Sequence, residues 1–136
     1  MVQAARDTIP DLEVVRRDLD ADTISHLGSQ NLGAAEGAEI LQEFLDADVI
    51  VIGAPMYNFS IPSQLKAWID RIMVAGKTFH YTATGPEGLA GGRKVIIASA
   101  RGGLYAPDTP QAGNDFHEPY LRAVFRFIGI DDVTIL

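Results

Sequence analysis

Two short loops in this sequence carry residues suited to binding a flat, polar ligand. The first, "MYNF" at residues 56–59, places aromatic rings on both sides of Asn58, whose amide both donates and accepts hydrogen bonds. The second, "RGG" at residues 101–103, contains Gly102 and Gly103, whose backbone N–H groups can approach a ligand that a side chain would obstruct. Aromatic faces beside amide donors suit a planar ring that bears carbonyls and ring nitrogens.

The first loop also has an interpretation that needs no ligand. Turns between a strand and a helix commonly hold Pro, Asn and Ser for conformational reasons alone, so residues 57–59 are also consistent with turn chemistry and packing. Two observations favour binding. The aromatics lie in a loop rather than on a periodic face, and the second loop follows another buried strand. A flavin is the kind of ring that such a pair of loops would suit.

Other motifs are weaker candidates for chemistry. The stretch "GLAGGRKV" at residues 88–95 resembles a phosphate-binding loop, but it precedes its strand and has Val95 where Ser or Thr is needed. The histidines lack metal-ligand spacing, so solvated or capping roles are predicted for them, and the clustered aspartates are predicted to form a solvated turn. These residues are His26, His80 and His117, and Asp18, Asp20 and Asp22. We therefore predict no metal site.

The two loops follow apolar, β-branched runs of the kind found in strands that are covered on both faces. Apolar residues at a spacing of three and four predict helices between the strands. The predicted strands span residues 12–19, 48–54, 94–100 and the end of the chain from 131; the predicted helices span 34–47, Pro62 to a stop at Gly76, and 115–127 with a stop at Gly129. Ser60 is predicted to cap the helix that begins at Pro62.

This alternation predicts a single α/β domain over residues 1–136, with a doubly wound parallel sheet and helices on both faces. In such sheets, ligands bind beyond the carboxyl ends of the strands. Because loops 55–60 and 100–106 both follow central strands, we expect them to form one site.

Composition narrows the class of partner. The formal net charge is −7 with Lys and Arg scattered, whereas a nucleic-acid-binding protein usually has a basic stripe. No apolar run reaches the roughly 18–20 residues needed to cross a bilayer, and the N-terminal residues lack the pattern of a signal peptide. The chain contains no Cys, which excludes disulfides and thiolate chemistry. We expect a cytoplasmic protein that binds neither nucleic acid nor membrane.

The segments around the two loops resemble the FMN-dependent NADH azoreductase and quinone reductase family of flavodoxin-like fold. The resemblance rests on "DVIVIGAPMYNFSIPSQLKAWIDRI", "GKTFHYTATGPEGLAGGRKVII", "ARGGLY" and "PYLRAVFRFIGI", which together span most of residues 48–131. It implies a homodimer that binds FMN, accepts hydride from NADH or NADPH, and reduces quinones or azo compounds.

The resemblance also assigns site residues. By position in the family's motifs, Met56, Tyr57, Asn58 and Phe59 belong to the first flavin-contacting loop, and Ala100, Arg101, Gly102 and Gly103 to the second. Tyr81 and Phe127 match aromatics of the pocket above the flavin, although Tyr81 could instead pack beside Phe79. Ala100 stands where the family usually has Ser, so Ser99 or a backbone amide would have to replace that hydroxyl.

The ends of the chain depart from the family pattern. Family members open with a strand and a Ser-rich loop that binds the FMN phosphate, whereas the residues before Leu12 resemble the tail of the first helix. The family's final helix is also missing after Leu136. The resemblance thus predicts a chain truncated at both ends, lacking the family's first strand and last helix. Two alternatives stay open: a non-catalytic fragment that binds FMN weakly or not at all, and an electron-transfer protein of the flavodoxin type.

A second apolar stripe on the last helix has two interpretations. Phe116, Tyr120 and Phe127 lie beside the main stripe of that helix. They indicate either a deeply buried helix or a surface that lines a pocket or a subunit interface.

Overall fold

The computed structural model of the chain describes residues 2–9, 11–31 and 35–136. The strands are β1 (Val49–Pro55), β2 (Phe79–Thr82), β3 (Gly85–Gly88), β4 (Lys94–Ala100) and β5 (Val133–Ile135). The helices are α1 (Val2–Thr8), α2 (Ala35–Asp46), α3 (Ser63–Ile72) and α4 (Glu118–Phe127), with a short 3₁₀ helix at Ala112–Asn114.

A parallel sheet in the order β1-β4-β5 is the centre of the fold. β1 and β4 pair in register from Val49 opposite Lys94 to Pro55 opposite Ala100, so the two strands end side by side. This confirms the two central strands and the α/β class predicted from the sequence. The loops that follow them are therefore held at one edge of the sheet.

The core lies on one face of this sheet. Ile52, Val95 and Ile97 are buried there together with apolar side chains of α2, α3 and α4. Successive side chains of a strand point to opposite faces, and Val49 and Val51 on the other face of β1 are 53% and 57% exposed. The prediction that both faces of β1 are covered is therefore wrong for the described residues.

The predicted strand at residues 12–19 is also wrong. Residues 12–18 have no helix or strand conformation and pair with no strand among the described residues. Residues 15–20 instead line a cavity of about 580 Å³, whose other walls include β1 and α3. A strand needs a neighbouring strand to bond its backbone, and this cavity separates the segment from the edge of β1.

The start and end of α3 differ from the prediction. Pro62 is the N-cap residue rather than the first helical residue, and no side chain, including that of Ser60, caps this helix. α3 ends at Ile72, and Gly76 lies in the following turn with φ of 79°. On its exposed side, Lys66 and Asp70, four residues apart, form an ion pair at 2.6 Å.

A β-hairpin that the sequence pattern did not predict occupies the connection that precedes β4. β2 and β3 pair antiparallel, and the segment after β3 is fixed to the end of α4 by the Ala90 N–H, which donates to the Ile128 carbonyl at 2.8 Å. β3 has the sequence "GPEG", which has low strand propensity. Tertiary contacts rather than local preference hold the hairpin in place.

α4 begins three residues later than predicted. The Asp115 carboxylate lies just before the helix and accepts hydrogen bonds from the backbone N–H groups of His117 (3.0 Å) and Glu118 (3.2 Å). This satisfies donors at the start of the helix that would otherwise lack partners. Gly129 follows the helix with φ of 89°, which confirms it as the C-terminal stop.

Tyr120, partly buried on α4, should make stability sensitive to alkaline pH. Burial raises the pKa of the Tyr120 hydroxyl above 10.0, while nearby Lys66 opposes this shift and Asp70 adds to it. The folded state therefore holds this proton more tightly than the unfolded state. Its stabilising contribution is complete below the unfolded pKa of about 10 and is lost as pH rises through the higher folded pKa.

We expect Tyr120→Phe to lose less unfolding free energy than the wild type when pH rises from about 9 to about 11.5. Urea unfolding at a series of pH values measures this. Tyr81→Phe is the matched control, because Tyr81 is 74% exposed. Equal pH dependence in wild type and Tyr120→Phe would contradict the prediction.

No helix among the described residues combines the length and apolar character needed to cross a lipid bilayer.

Candidate functional site

The two loops predicted to bind a ligand are joined by a backbone hydrogen bond. The Met56 N–H donates to the Ala100 carbonyl at 2.8 Å, which extends the pairing of β1 and β4 by one residue. The structure thus brings residues 56–59 and 100–103 to the same edge of the sheet.

The first loop is a tight turn whose two central residues have unusual backbone angles. Tyr57 and Ser60 exchange backbone hydrogen bonds of 2.8 and 3.1 Å, and between them Asn58 has φ of 48° and Phe59 φ of 74°. Positive φ at both central positions is the pattern of a type I′ turn, which favours Asn first and Gly second. Asn58 fits this preference, so the turn itself explains part of its presence.

Phe59 does not fit that preference. A bulky residue at positive φ costs about 1–3 kcal/mol and persists only where its surroundings hold it. The Phe59 ring is 45% exposed, and its ring contact is an edge-to-face one with Tyr105 at 6.4 Å between centroids. Tyr57 is 58% exposed. The fold therefore gains little from burying these rings.

The second loop exposes backbone at Gly102. A Cβ atom built there would meet no atom within 4 Å, and φ of Gly102 lies outside the left-handed region. Neither packing nor conformation requires glycine at this position. Open backbone at this glycine agrees with the predicted loop, in which backbone N–H groups are accessible to a ligand. At Gly103, a Cβ would lie 3.4 Å from the Tyr105 ring, which is ordinary contact.

Arg101 uses its guanidinium within the protein. It forms ion pairs with the Glu118 carboxylate at 2.7 Å and with the Asp115 carboxylate at 3.4 Å. Its side chain is therefore directed to the start of α4. A ligand contact from Arg101 would come from its backbone.

The Ser99 side chain lies on the core side of the sheet. Its Oγ is buried and has no hydrogen-bond partner among the described residues. Ser99 pairs in register with Ala54, which belongs to the buried face of the sheet.

Tyr81 and Phe127 are brought together through Phe79. The Phe79 ring makes edge-to-face contacts with Phe127 at 4.9 Å and with Tyr81 at 5.6 Å. Tyr81 thus packs beside Phe79, the alternative noted from the sequence, yet 74% of it remains exposed. Within the described residues, this group has no ring contact with the aromatics of the two loops.

The prediction for His117 is wrong for its side chain: His117 occupies the N-cap position of α4, but its side chain makes no capping hydrogen bond. His117 is fully buried, and its Nε2 lies 3.0 Å from the Ala54 carbonyl oxygen. Because a carbonyl only accepts hydrogen bonds, Nε2 carries the proton and donates. The ring's Nδ1 has no partner among the described residues. No sequence pattern indicated this contact, because it joins residues 63 positions apart.

His80 and Asp18 make local contacts. His80 lies 3.0 Å from the Glu87 carboxylate across the hairpin. The Asp18 carboxylate accepts from the backbone N–H groups of Asp20 and Ala21, which is the predicted turn. Among the residues that the structure describes, no group of His, Asp or Glu has the arrangement of a metal site.

Comparisons with known proteins identify the family. A model of the flavodoxin-like fold matches residues 1–136. The FMN-dependent NADH:quinone oxidoreductase of Xanthomonas oryzae pv. oryzae (strain MAFF 311018) is 60% identical over 142 residues, covering 100% of this chain and 71% of the relative.

Solved structures indicate the same family as the sequence comparison does. The azoreductase from Bacillus anthracis str. Sterne superposes with a TM-score of 0.89 at 30% identity, covering 98% of this chain and 73% of that one. An FMN-dependent NADH-azoreductase from Bacillus anthracis str. Ames Ancestor, in complex with FMN, superposes with a TM-score of 0.78 at 34% identity, covering 88% and 65%. The chain therefore belongs to the flavodoxin-like family that includes FMN-dependent NADH:quinone oxidoreductases and azoreductases.

Proposed function

We propose that this protein is an FMN-dependent oxidoreductase that passes electrons from NADH to quinones or azo compounds, and that residues 56–59 and 100–103 hold the flavin ring. The activity is that of the relatives, which are up to 61% identical over the whole chain. The observation that carries the ring site is the pair of features at one sheet edge: an exposed Phe59 ring on a strained turn, and open backbone at Gly102.

These residues fit the chemistry of a flavin ring. Phe59 and Tyr57 offer exposed aromatic faces on which a planar ring can stack. The Asn58 amide and the backbone N–H groups of Gly102 and Gly103 offer donors for ring carbonyls and nitrogens. FMN, when bound, supplies the capacity to accept a hydride and release two electrons.

The chain's own residues would then bind and orient rather than react. Donors at Asn58 and Gly102 stabilise negative charge on the ring, and the two aromatics exclude water from its faces. Tyr81, mostly exposed beside Phe79 and Phe127, is proposed to contact the acceptor. We assign no proton-transferring side chain.

Gly102→Ala tests the ring site without harming the fold. Because the new Cβ meets no protein atom, we expect stability to be unchanged or raised by about 0.4–1 kcal/mol. We expect the FMN dissociation constant to rise about tenfold or more, since the methyl group occupies space needed by the ligand. Fluorescence titration with FMN and urea unfolding measure the two effects.

Gly113→Ala is the matched control, because its Cβ also meets nothing within 4 Å. It should leave FMN affinity near wild type, and its effect on stability should match that of Gly102→Ala. Unchanged FMN affinity in Gly102→Ala would overturn the assignment of Gly102. A wild-type chain that binds no FMN would instead support the non-catalytic alternative.

A homodimer and a cytoplasmic location are part of the same proposal. Phe116 belongs to the second apolar stripe and lies just before α4. It is 60% exposed, which supports a subunit interface there. The lack of Cys is consistent with the reducing cytoplasm. Sedimentation of wild type and Phe116→Ser tests the dimer, and a monomeric wild type would contradict it.

A further inference from the structure

We propose that residues 115–118, just before and at the start of α4, act as a clamp that fixes the geometry of both ring-binding loops, with His117 as its positioning residue. The proposal rests on the proposed function, because it assigns a role in the same site. It concerns residues that neither the sequence motifs nor the ring site had assigned.

The clamp holds the first loop at both ends. Where β1 leads into this loop, the His117 Nε2–H donates to the Ala54 carbonyl at 3.0 Å, two residues before Met56. Near the end of the loop, the Phe116 N–H donates to the Phe59 carbonyl at 3.1 Å. Adjacent clamp residues thus bond to the strand before the strained turn and to Phe59 within the turn.

The clamp also holds the second loop. Asp115 and Glu118 both form ion pairs with Arg101, which directly precedes the open backbone of Gly102. Asp115 uses its other carboxylate oxygen to fix the start of α4. A rigid helix is therefore connected through one short segment to both loops.

The turn needs such support. Asn58 and Phe59 both have positive φ, and a strained turn persists only when surrounding contacts oppose its relaxation. The Phe116 N–H bonds directly to the residue with the larger positive φ, Phe59. This contact and the Tyr57–Ser60 pair both act on the strained residues.

Simple core packing does not explain His117. An apolar side chain would fill a buried position without leaving a polar atom unpaired, whereas the His117 Nδ1 has no partner among the described residues. The feature that histidine adds is the Nε2–H donor to Ala54, because an apolar side chain lacks it. A positioning role for that bond accounts for the polar residue at this place.

Amide hydrogen exchange in the ligand-free chain tests the clamp directly. The Met56 and Ser60 amides, bonded to Ala100 and Tyr57, report on the first loop. We expect His117→Leu to speed exchange at both amides about tenfold beyond any change at the Ile97 amide in β4. His117→Gln, whose amide nitrogen can donate to Ala54, should restore most of the protection.

Val95→Ala is the matched control, since it removes buried methyl groups at the amino end of β4, away from the loops. It should lower stability without selective exchange at Met56 and Ser60. Loop amides in His117→Leu that exchange no faster, relative to Ile97, than in Val95→Ala would overturn the proposal. If His117→Leu does not fold, Glu118→Gln replaces it: an Arg101 released from Glu118 should speed Met56 exchange about threefold, and an unchanged rate would overturn the proposal.

FMN titration separates this inference from the proposed function. If the wild-type chain binds FMN, His117→Leu should raise the dissociation constant about tenfold, His117→Gln less, and Val95→Ala little. FMN affinity in His117→Leu equal to that of Val95→Ala would overturn the role of the clamp in binding. If the wild-type chain binds no FMN, the proposed function fails, while the exchange rates still decide whether the clamp exists.

Discussion

Replacing Gly88 with alanine should destabilise the protein by about 3 kcal/mol, the upper end of the usual cost of overpacking. A Cβ atom at Gly88 would lie 2.1 Å from the backbone nitrogen of Gly129 and 2.2 Å from the carbonyl carbon of Ile128. Those atoms belong to the backbone at the end of α4 and cannot rotate away as a side chain would. The hairpin of β2 and β3 must therefore move off α4. Urea unfolding measures the loss.

The same substitution should also displace the side chains of the proposed acceptor pocket. The hairpin carries Phe79 and Tyr81, and Phe79 packs against Phe127 of α4. Gly53→Ala is the matched control, because a Cβ at Gly53 meets nothing within 4 Å and its φ is not left-handed. A Gly88→Ala protein as stable as Gly53→Ala would contradict the close backbone packing.

Asn58→Gly should separate the two explanations of Asn58. Glycine accepts the positive φ of this position at least as well as asparagine does, so the turn is expected to survive and stability to change by less than about 1 kcal/mol. If the amide bonds to the flavin ring, its loss should raise the FMN dissociation constant about 10- to 100-fold, which corresponds to about 1.4–2.8 kcal/mol. Fluorescence titration measures the change.

Phe59→Gly is the companion variant. Glycine at φ of 74° relieves the backbone strain, so this variant should be about 1 kcal/mol more stable than wild type while losing the aromatic face. Weakened FMN binding by a more stable protein would show that the Phe59 ring is kept for the ligand. If Asn58→Gly and Phe59→Gly both bind FMN as the wild type does, neither side chain contributes to FMN binding.

The central strands could be predicted because their signal is local and redundant. "DVIVIGA" and "KVIIASA" are continuous apolar runs, and β4 has the bounds predicted for it. The resemblance to the azoreductase and quinone reductase family was correct for the same reason, since its motifs surround these strands. The convergence of the two loops then followed from the general geometry of parallel sheets.

Three of the structural features that the sequence did not predict depend on contacts between residues distant in sequence. Residues 12–19 have strand-forming composition, but a strand forms only beside another, and a cavity lies between this segment and β1. The hairpin was missed because "GPEG" becomes a strand only through its packing on Gly129. The contact of His117 with Ala54 joins residues 63 positions apart, so no local pattern could indicate it. For the candidate site, the sequence predicted the two loops but not the contacts from residues 115–118 that fix them.

Titration of the chain with riboflavin most directly tests the claim that residues 56–59 and 100–103 hold a flavin ring. Riboflavin carries the same ring as FMN without the phosphate, so its binding reports on the ring site alone. We expect saturable quenching of riboflavin fluorescence by the wild-type chain and at least about tenfold weaker binding by Asn58→Gly. Absence of binding by the wild type, or equal binding by both proteins, would contradict the assignment.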